Sequence, residues 1–116
     1  MPVFYVLSYD LKYEKIEQFR DLVNSDKGRK LIGEIEREIG ARFRGMYFPV
    51  MGFGESTVEE WWELPNCGSL DKFRESKAWE RAIQEIYEFL DMTKTTKARM
   101  LRSVSDVKVV RPTKTR

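Results

Sequence analysis

Histidine is absent from the 116 residues, and cysteine occurs once, at position 67. The first absence excludes a Ser-His-Asp or Cys-His nucleophile pair, zinc held by imidazole, and haem held by a proximal histidine. Proton transfer therefore falls to Glu, Asp, Tyr, Lys or Cys. Cys67, in the loop Pro65-Asn66-Cys67-Gly68, has no second cysteine for a disulfide or a paired-cysteine metal site. It reads as a free thiol, and neither metal nor cofactor is expected. Asn and Gln number two each beside many Lys, Arg and Glu, a bias found in proteins from hot environments. No run approaches the roughly 18 apolar residues of a membrane span. Met1-Pro2 leads into a strand-like run without the basic segment and small-residue cleavage site of a secretory leader. The expectation is a cytoplasmic chain with no membrane contact.

What is present is enough for a core. Hydrophobic residues make up 41% of the chain, with seven Phe, five Tyr and three Trp, which excludes disorder for most of it. The net charge of +2 is unevenly spread: residues 1–91 hold 13 basic and 18 acidic side chains, residues 92–116 hold 8 and 1. The chain therefore divides into one domain over residues 1–106 and a basic tail over 107–116, whose end KVVRPTKTR carries Pro112 and no acid. Such a tail suits either solvation beside an acidic body or attraction to a nucleic-acid backbone; the first is preferred.

Periodicity places the elements. Residues 3–9, VFYVLSY, are apolar on both parities and read as a strand covered on both faces. From Glu14 apolar residues recur at helical spacing, Ile16, Phe19, Leu22 and Val23, then Leu31, Ile32, Ile35 and Ile39. This predicts two helices or one bent helix, broken near Asn24-Ser25 and Gly28 and ended by Gly40. Arg42–Met51 and Thr57–Leu64 read as a hairpin around the loop GFGES. Ser69 opens a helical region carried by Leu70 and Phe73 and continued by the stripe from Trp79 to Leu90. A last strand follows over Ala98–Val104, and the run Val107–Val110 could either extend it or belong to the tail. The order β-α-β-β-α-β is that of an α+β, ferredoxin-like fold with a four-stranded antiparallel sheet and its helices on one face.

If residue 51 pairs with 57, one side of the hairpin shows Val50, Phe48, Met46, Val58, Trp62 and Leu64. The other then shows Met51, Tyr47, Phe43, Glu59, Trp61 and Glu63. Helices cover only one side, and the remaining aromatics form a patch larger than a monomer tolerates. A second copy of the same sheet is the simplest cover, so a homodimer is expected.

With this element order, the hairpin RFRGMYFPVMGFGESTVEEWWEL and the following helical segment SLDKFRESKAWERAIQEI, the chain resembles the dimeric α+β barrel superfamily over roughly residues 3–104. That superfamily includes NIPSNAP-like proteins and cofactor-independent antibiotic-biosynthesis monooxygenases. The resemblance implies two sheets pressed face to face and monooxygenase-like chemistry. Trp61 or Trp62 matches a pocket tryptophan of some members. Their histidine and first-strand asparagine have no counterpart here.

Two constellations are candidate sites. Tyr5, Tyr9, Tyr47 and Trp61 could line a pocket for a small, largely apolar molecule, with rings as walls and hydroxyls as orienting groups. Glu59, Glu60 and Glu63 lie beside two tryptophans, where an indole strips water from a carboxylate and raises its pKa. Glu63 is the candidate catalytic base, because it shares a face with Trp61 and the assumed register sets it opposite Gly45. Glu60, if it faces the helices, needs a partner such as an arginine or a buried water. Gly52-Phe53-Gly54 lacks phosphate-loop spacing, and RGMYFPV has a methionine where an RNA-recognition strand stacks an aromatic. The function expected is a small-molecule-binding barrel dimer, monooxygenase-like if it is an enzyme. The alternative is a non-catalytic interaction module whose basic arm contacts nucleic acid or a protein.

Overall fold

A computed structural model describes residues 3–49 and 56–102, with Pro112. Four strands, β1 (Val3–Tyr9), β2 (Arg42–Tyr47), β3 (Val58–Leu64) and β4 (Lys97–Arg102), form one antiparallel sheet in the order β2-β3-β1-β4. Four helices accompany it: α1 (Ile16–Asn24), α2 (Asp26–Ile39), α3 (Leu70–Glu75) and α4 (Lys77–Ile86). The chain has the α+β, ferredoxin-like architecture expected. The loop GFGES apart from Ser56 and the stretch Val107–Val110 lie outside the described residues, as does the basic tail apart from Pro112.

The first helical segment breaks where its polar stretch begins. Ser25 is extended (ψ 165°) and its Oγ accepts from the Gly28 amide at 3.1 Å, so it ends α1 and caps α2 at once. Gly40, at φ 76°, closes α2 in the left-handed conformation that a side chain resists. The second helical region also breaks, at Ser76, although its apolar stripe runs on. The Ser76 Oγ accepts from the Trp79 amide at 3.0 Å, and the Glu38 carboxylate at the end of α2 accepts from the Lys77 and Ala78 amides. Both serines supply the acceptor that the orphan amides of a helix start require.

The hairpin register is the main correction. Tyr47 faces Glu59, Met46 faces Glu60 and Gly45 faces Trp61, two residues away from the assumed register, and the ladder then slips at Arg44, so Phe43 faces Trp62 and Arg42 faces Glu63. Glu63 therefore does not lie opposite Gly45. Gly45 sits at φ 130°, and a Cβ there would come within 2.7 Å of the Tyr47 hydroxyl, so this bulge depends on glycine. The extra residue reverses the side-chain parity of the strand before it. Phe43 accordingly turns to the helices and packs on Trp62, with ring centroids 5.0 Å apart, and leaves the face of Trp61.

Under the helices the core holds two joined groups. One gathers Val3, Ile35, Ile39, Trp62, Leu64 and Phe73; the other gathers Leu7, Tyr9, Leu11, Phe19, Val58 and Phe89. The opposite face of the sheet, here the open face, carries Phe4, Val6, Trp61 and Leu101 by register. Among the described residues no helix is long and apolar enough to cross a membrane.

Candidate functional site

β3 carries the sequence Val-Glu-Glu-Trp-Trp-Glu-Leu, and strand alternation sends its two middle acids to opposite faces. Glu60 goes beneath the helices and is 5% exposed. Leu7 stands opposite it on β1, so Tyr9 is its diagonal neighbour. Glu60 Oε2 accepts from the Tyr9 hydroxyl at 2.7 Å, and Oε1 accepts from the Trp62 indole Nε1 at 2.6 Å. The partner that a buried carboxylate needs is thus a phenol and an indole, and neither arginine nor water is required. Burial pushes the Glu60 pKa up, against the two hydrogen bonds, which hold it down. Burial also raises the Tyr9 pKa well above that of an ordinary phenol, and the Glu60 charge and hydrogen bond raise it further.

Beside this pair is a cavity of about 150 Å³ between sheet and helices. The sheet contributes Leu7, Tyr9, Glu60 and Trp62; α1, α2 and α4 contribute Phe19, Ile32, Ile35, Trp79 and Ile86. Among the described residues the lining includes no lysine, no arginine and no acid besides Glu60. Trp62 is fixed by edge contacts with Phe73 and Trp79, at centroid distances of 5.7 and 6.0 Å. The carboxylate is therefore held against a rigid aromatic wall.

The four residues expected to share a pocket do not. Tyr9 lines the cavity. Tyr5 lies on the same face but packs on Phe73 at 5.3 Å. Trp61 is on the open face against Phe4, at 5.6 Å, and Tyr47 is 53% exposed there, lining a more polar hollow with Ser8, Glu59, Lys97 and Arg99. Glu63, the expected base, pairs with Arg44 Nε at 2.8 Å. Phe19 and Trp79 are lining residues that sequence reasoning did not place at a site, and Glu60 and Trp62 were named beside their neighbours without being chosen over Glu63 and Trp61. The signal for Glu60 and Trp62 was Glu-x-Trp spacing on the helix-facing parity of β3. Among the described residues no group of His, Cys, Asp or Glu is placed to hold a metal ion.

No family model matches the sequence, and no curated protein matches it. Solved structures do. A conserved protein from Methanosarcina mazei is similar with TM-score 0.64 and 24% identity, over 88% of this chain and 92% of that one. A NIPSNAP family protein from Agrobacterium tumefaciens is similar with TM-score 0.66 and 16% identity, over 91% and 96%. A Nitrosomonas europaea protein put forward as an antibiotic biosynthesis monooxygenase is similar with TM-score 0.65 and 12% identity, over 92% and 94%. The chain shares the fold of these proteins, and at such identities the likeness concerns the fold alone.

Proposed function

We propose that this protein binds a small, largely apolar molecule in the cavity between its sheet and helices, with Glu60 as the polar group that orients it. The observation that carries this reading is a carboxylate buried on an aromatic cavity wall and held, among the described residues, by Tyr9 and Trp62 alone. A fold gains nothing from burying a charge among apolar residues, since desolvation opposes it. A ligand supplies the missing reason. The same observation favours this reading over an interaction module working through the tail, which would have no use for the Glu60 site. Where the protein is an enzyme of the monooxygenase-like kind, Glu60 is the base that replaces Glu63 in that role.

The protein is further read as a homodimer through the open face, with the basic tail of residues 107–116 outside the domain. Phe4, Trp61 and Leu101 line that face, partly exposed, flanked by the ion pairs Arg44–Glu63 and Arg99–Glu59. Apolar residues between charges of both signs suit a two-fold contact of the sheet with its own copy. Light scattering should then give close to twice 13.8 kDa, and Trp61→Asp should give a monomer. A wild-type monomer would remove the dimer and leave the cavity reading standing.

Ligand binding is tested by thermal denaturation with benzene or toluene. A saturable rise in Tm is expected for the wild type, and Ala82→Phe, which fills the cavity from α4, should abolish it. Absence of a saturable shift with any one-ring compound would defeat the proposal.

A further inference from the structure

Glu60 presents a carboxyl group to its cavity with no cationic partner among the described lining residues. Each carboxylate oxygen already accepts one short bond, 2.7 Å from Tyr9 and 2.6 Å from Trp62, lengths that suit an ionised acceptor. A protonated Glu60 would need an acceptor for its own proton. The Tyr9 oxygen is the one the wall offers, and Tyr9 would then lack an acceptor among the described residues. Both donors are neutral, so they satisfy the lone pairs and leave the charge in place.

Nothing packed against the site neutralises it. β1 supplies Tyr9, and also Tyr5, whose hydroxyl feels both Glu60 and Arg74 of α3. α1, α2 and α4 turn only apolar and aromatic side chains to the cavity. The rings of Trp62, Trp79 and Phe43 present π-faces and edges, and such walls accept an organic cation. The volume of about 150 Å³ matches cavities that take a single benzene ring.

We infer that the ligand is a one-ring amine whose protonated nitrogen pairs with the Glu60 carboxylate while its ring fills the aromatic cavity. This rests on the reading of the cavity as the binding site, and it adds the charge and size of the ligand. Anionic aromatics are disfavoured by the same charge, and neutral ones bind through the ring alone.

Calorimetry at about pH 8 with benzylamine, toluene, phenol and benzoate tests it. Benzylamine should bind the wild type about 10- to 100-fold tighter than toluene, and benzoate should bind weakest. Glu60→Gln should abolish the preference and leave toluene affinity nearly unchanged. Should that variant not fold, the wild type decides: benzylamine affinity should fall on acidification as Glu60 takes up a proton, and toluene affinity should not. Tyr9 cannot mimic this, because its raised pKa keeps it protonated throughout. Toluene binding as tightly as benzylamine, or phenol binding tighter, would overturn the amine assignment and spare the site. Failure of all four to bind would overturn both.

Discussion

β3 repeats one hydrogen bond on its two faces. Beneath the helices Trp62 donates its indole N–H to Glu60, two residues back; on the open face Trp61 donates its indole N–H to Glu59, also two residues back, at 2.8 Å. The second donor differs. Glu60 receives the neutral hydroxyl of Tyr9, whereas Glu59 receives the guanidinium of Arg99 at 3.2 Å. On the open face the charge is cancelled by a partner that water also screens, and the result is an ordinary surface ion pair. On the helix face the carboxyl is buried, without a cationic partner among the described residues, and lines a cavity. The same spacing thus yields a structural contact or a site, according to what the neighbouring strand contributes.

The largest effect that would break or sharpen this comparison is truncation of the two indoles. Trp62 is 1% exposed and meets Phe43, Phe73 and Trp79, so Trp62→Ala should cost about 3–5 kcal/mol in urea denaturation. Trp61 is only half-buried in a single chain, and Trp61→Ala should cost clearly less at concentrations low enough to favour monomer. Equal losses would mean that the faces are equally packed, and the contrast between them would fall.

Tyr9→Phe comes next. It removes one donor from a buried carboxylate while keeping the ring that packs edge-on against Phe19. The cost should be about 1–3 kcal/mol, the range for an acceptor left unsatisfied in the interior. Because the Tyr9 bond holds the Glu60 pKa down, its loss should be felt more at neutral than at acid pH. A loss independent of pH would mean that Glu60 carries no charge in the wild type.

How much of this was legible in the sequence depended on how local the cause was. The strand at Val3–Tyr9, the serine break, the Gly40 cap and the element order follow from periodicity and capping within a few residues. The break at Ser76 was hidden because the apolar stripe continues through it, and half of its support comes from Glu38, some forty positions earlier. The register was misjudged twice over: the strands pair two residues away from the assumed 51–57 register, a shift that keeps side-chain parity and leaves the hydrophobic pattern unchanged, and the extra residue at Arg44 then reverses parity, which is how Phe43 changed faces. The alternation that puts Glu60 with Trp62 was readable; the partner Tyr9 was not, since it lies 51 residues away and depends on how β1 pairs with β3.

Glu60→Gln sharpens the comparison through its pH dependence. The folded-state pKa of Glu60 lies above the ordinary carboxylate value, with burial the main cause. The protonated form is therefore the one that folding favours. Its contribution is complete below the unfolded-state pKa and is lost as pH rises through the folded-state value. Between about pH 4 and 8, urea midpoints should fall relative to Glu60→Gln as pH increases. A constant difference between the two proteins would show that the buried acid titrates like an exposed one.

The smallest effect belongs to the acid that the sequence favoured as a base. Glu63 shares its face with Trp61, yet its partner is the Arg44 guanidinium, 2.8 Å away, and the two side chains are 25% and 45% exposed. Water competes for both groups, and an ion pair of this kind contributes about 0–1 kcal/mol. Glu63→Gln keeps the shape and one acceptor, so its urea midpoint should stay within that margin. Its affinity for toluene and benzylamine should match the wild type, because Glu63 lines no part of the cavity. The outcome to look for is a change in benzylamine affinity without a change in stability. That result would move the functional carboxylate to the open face and reverse the assignment of roles to the two acids.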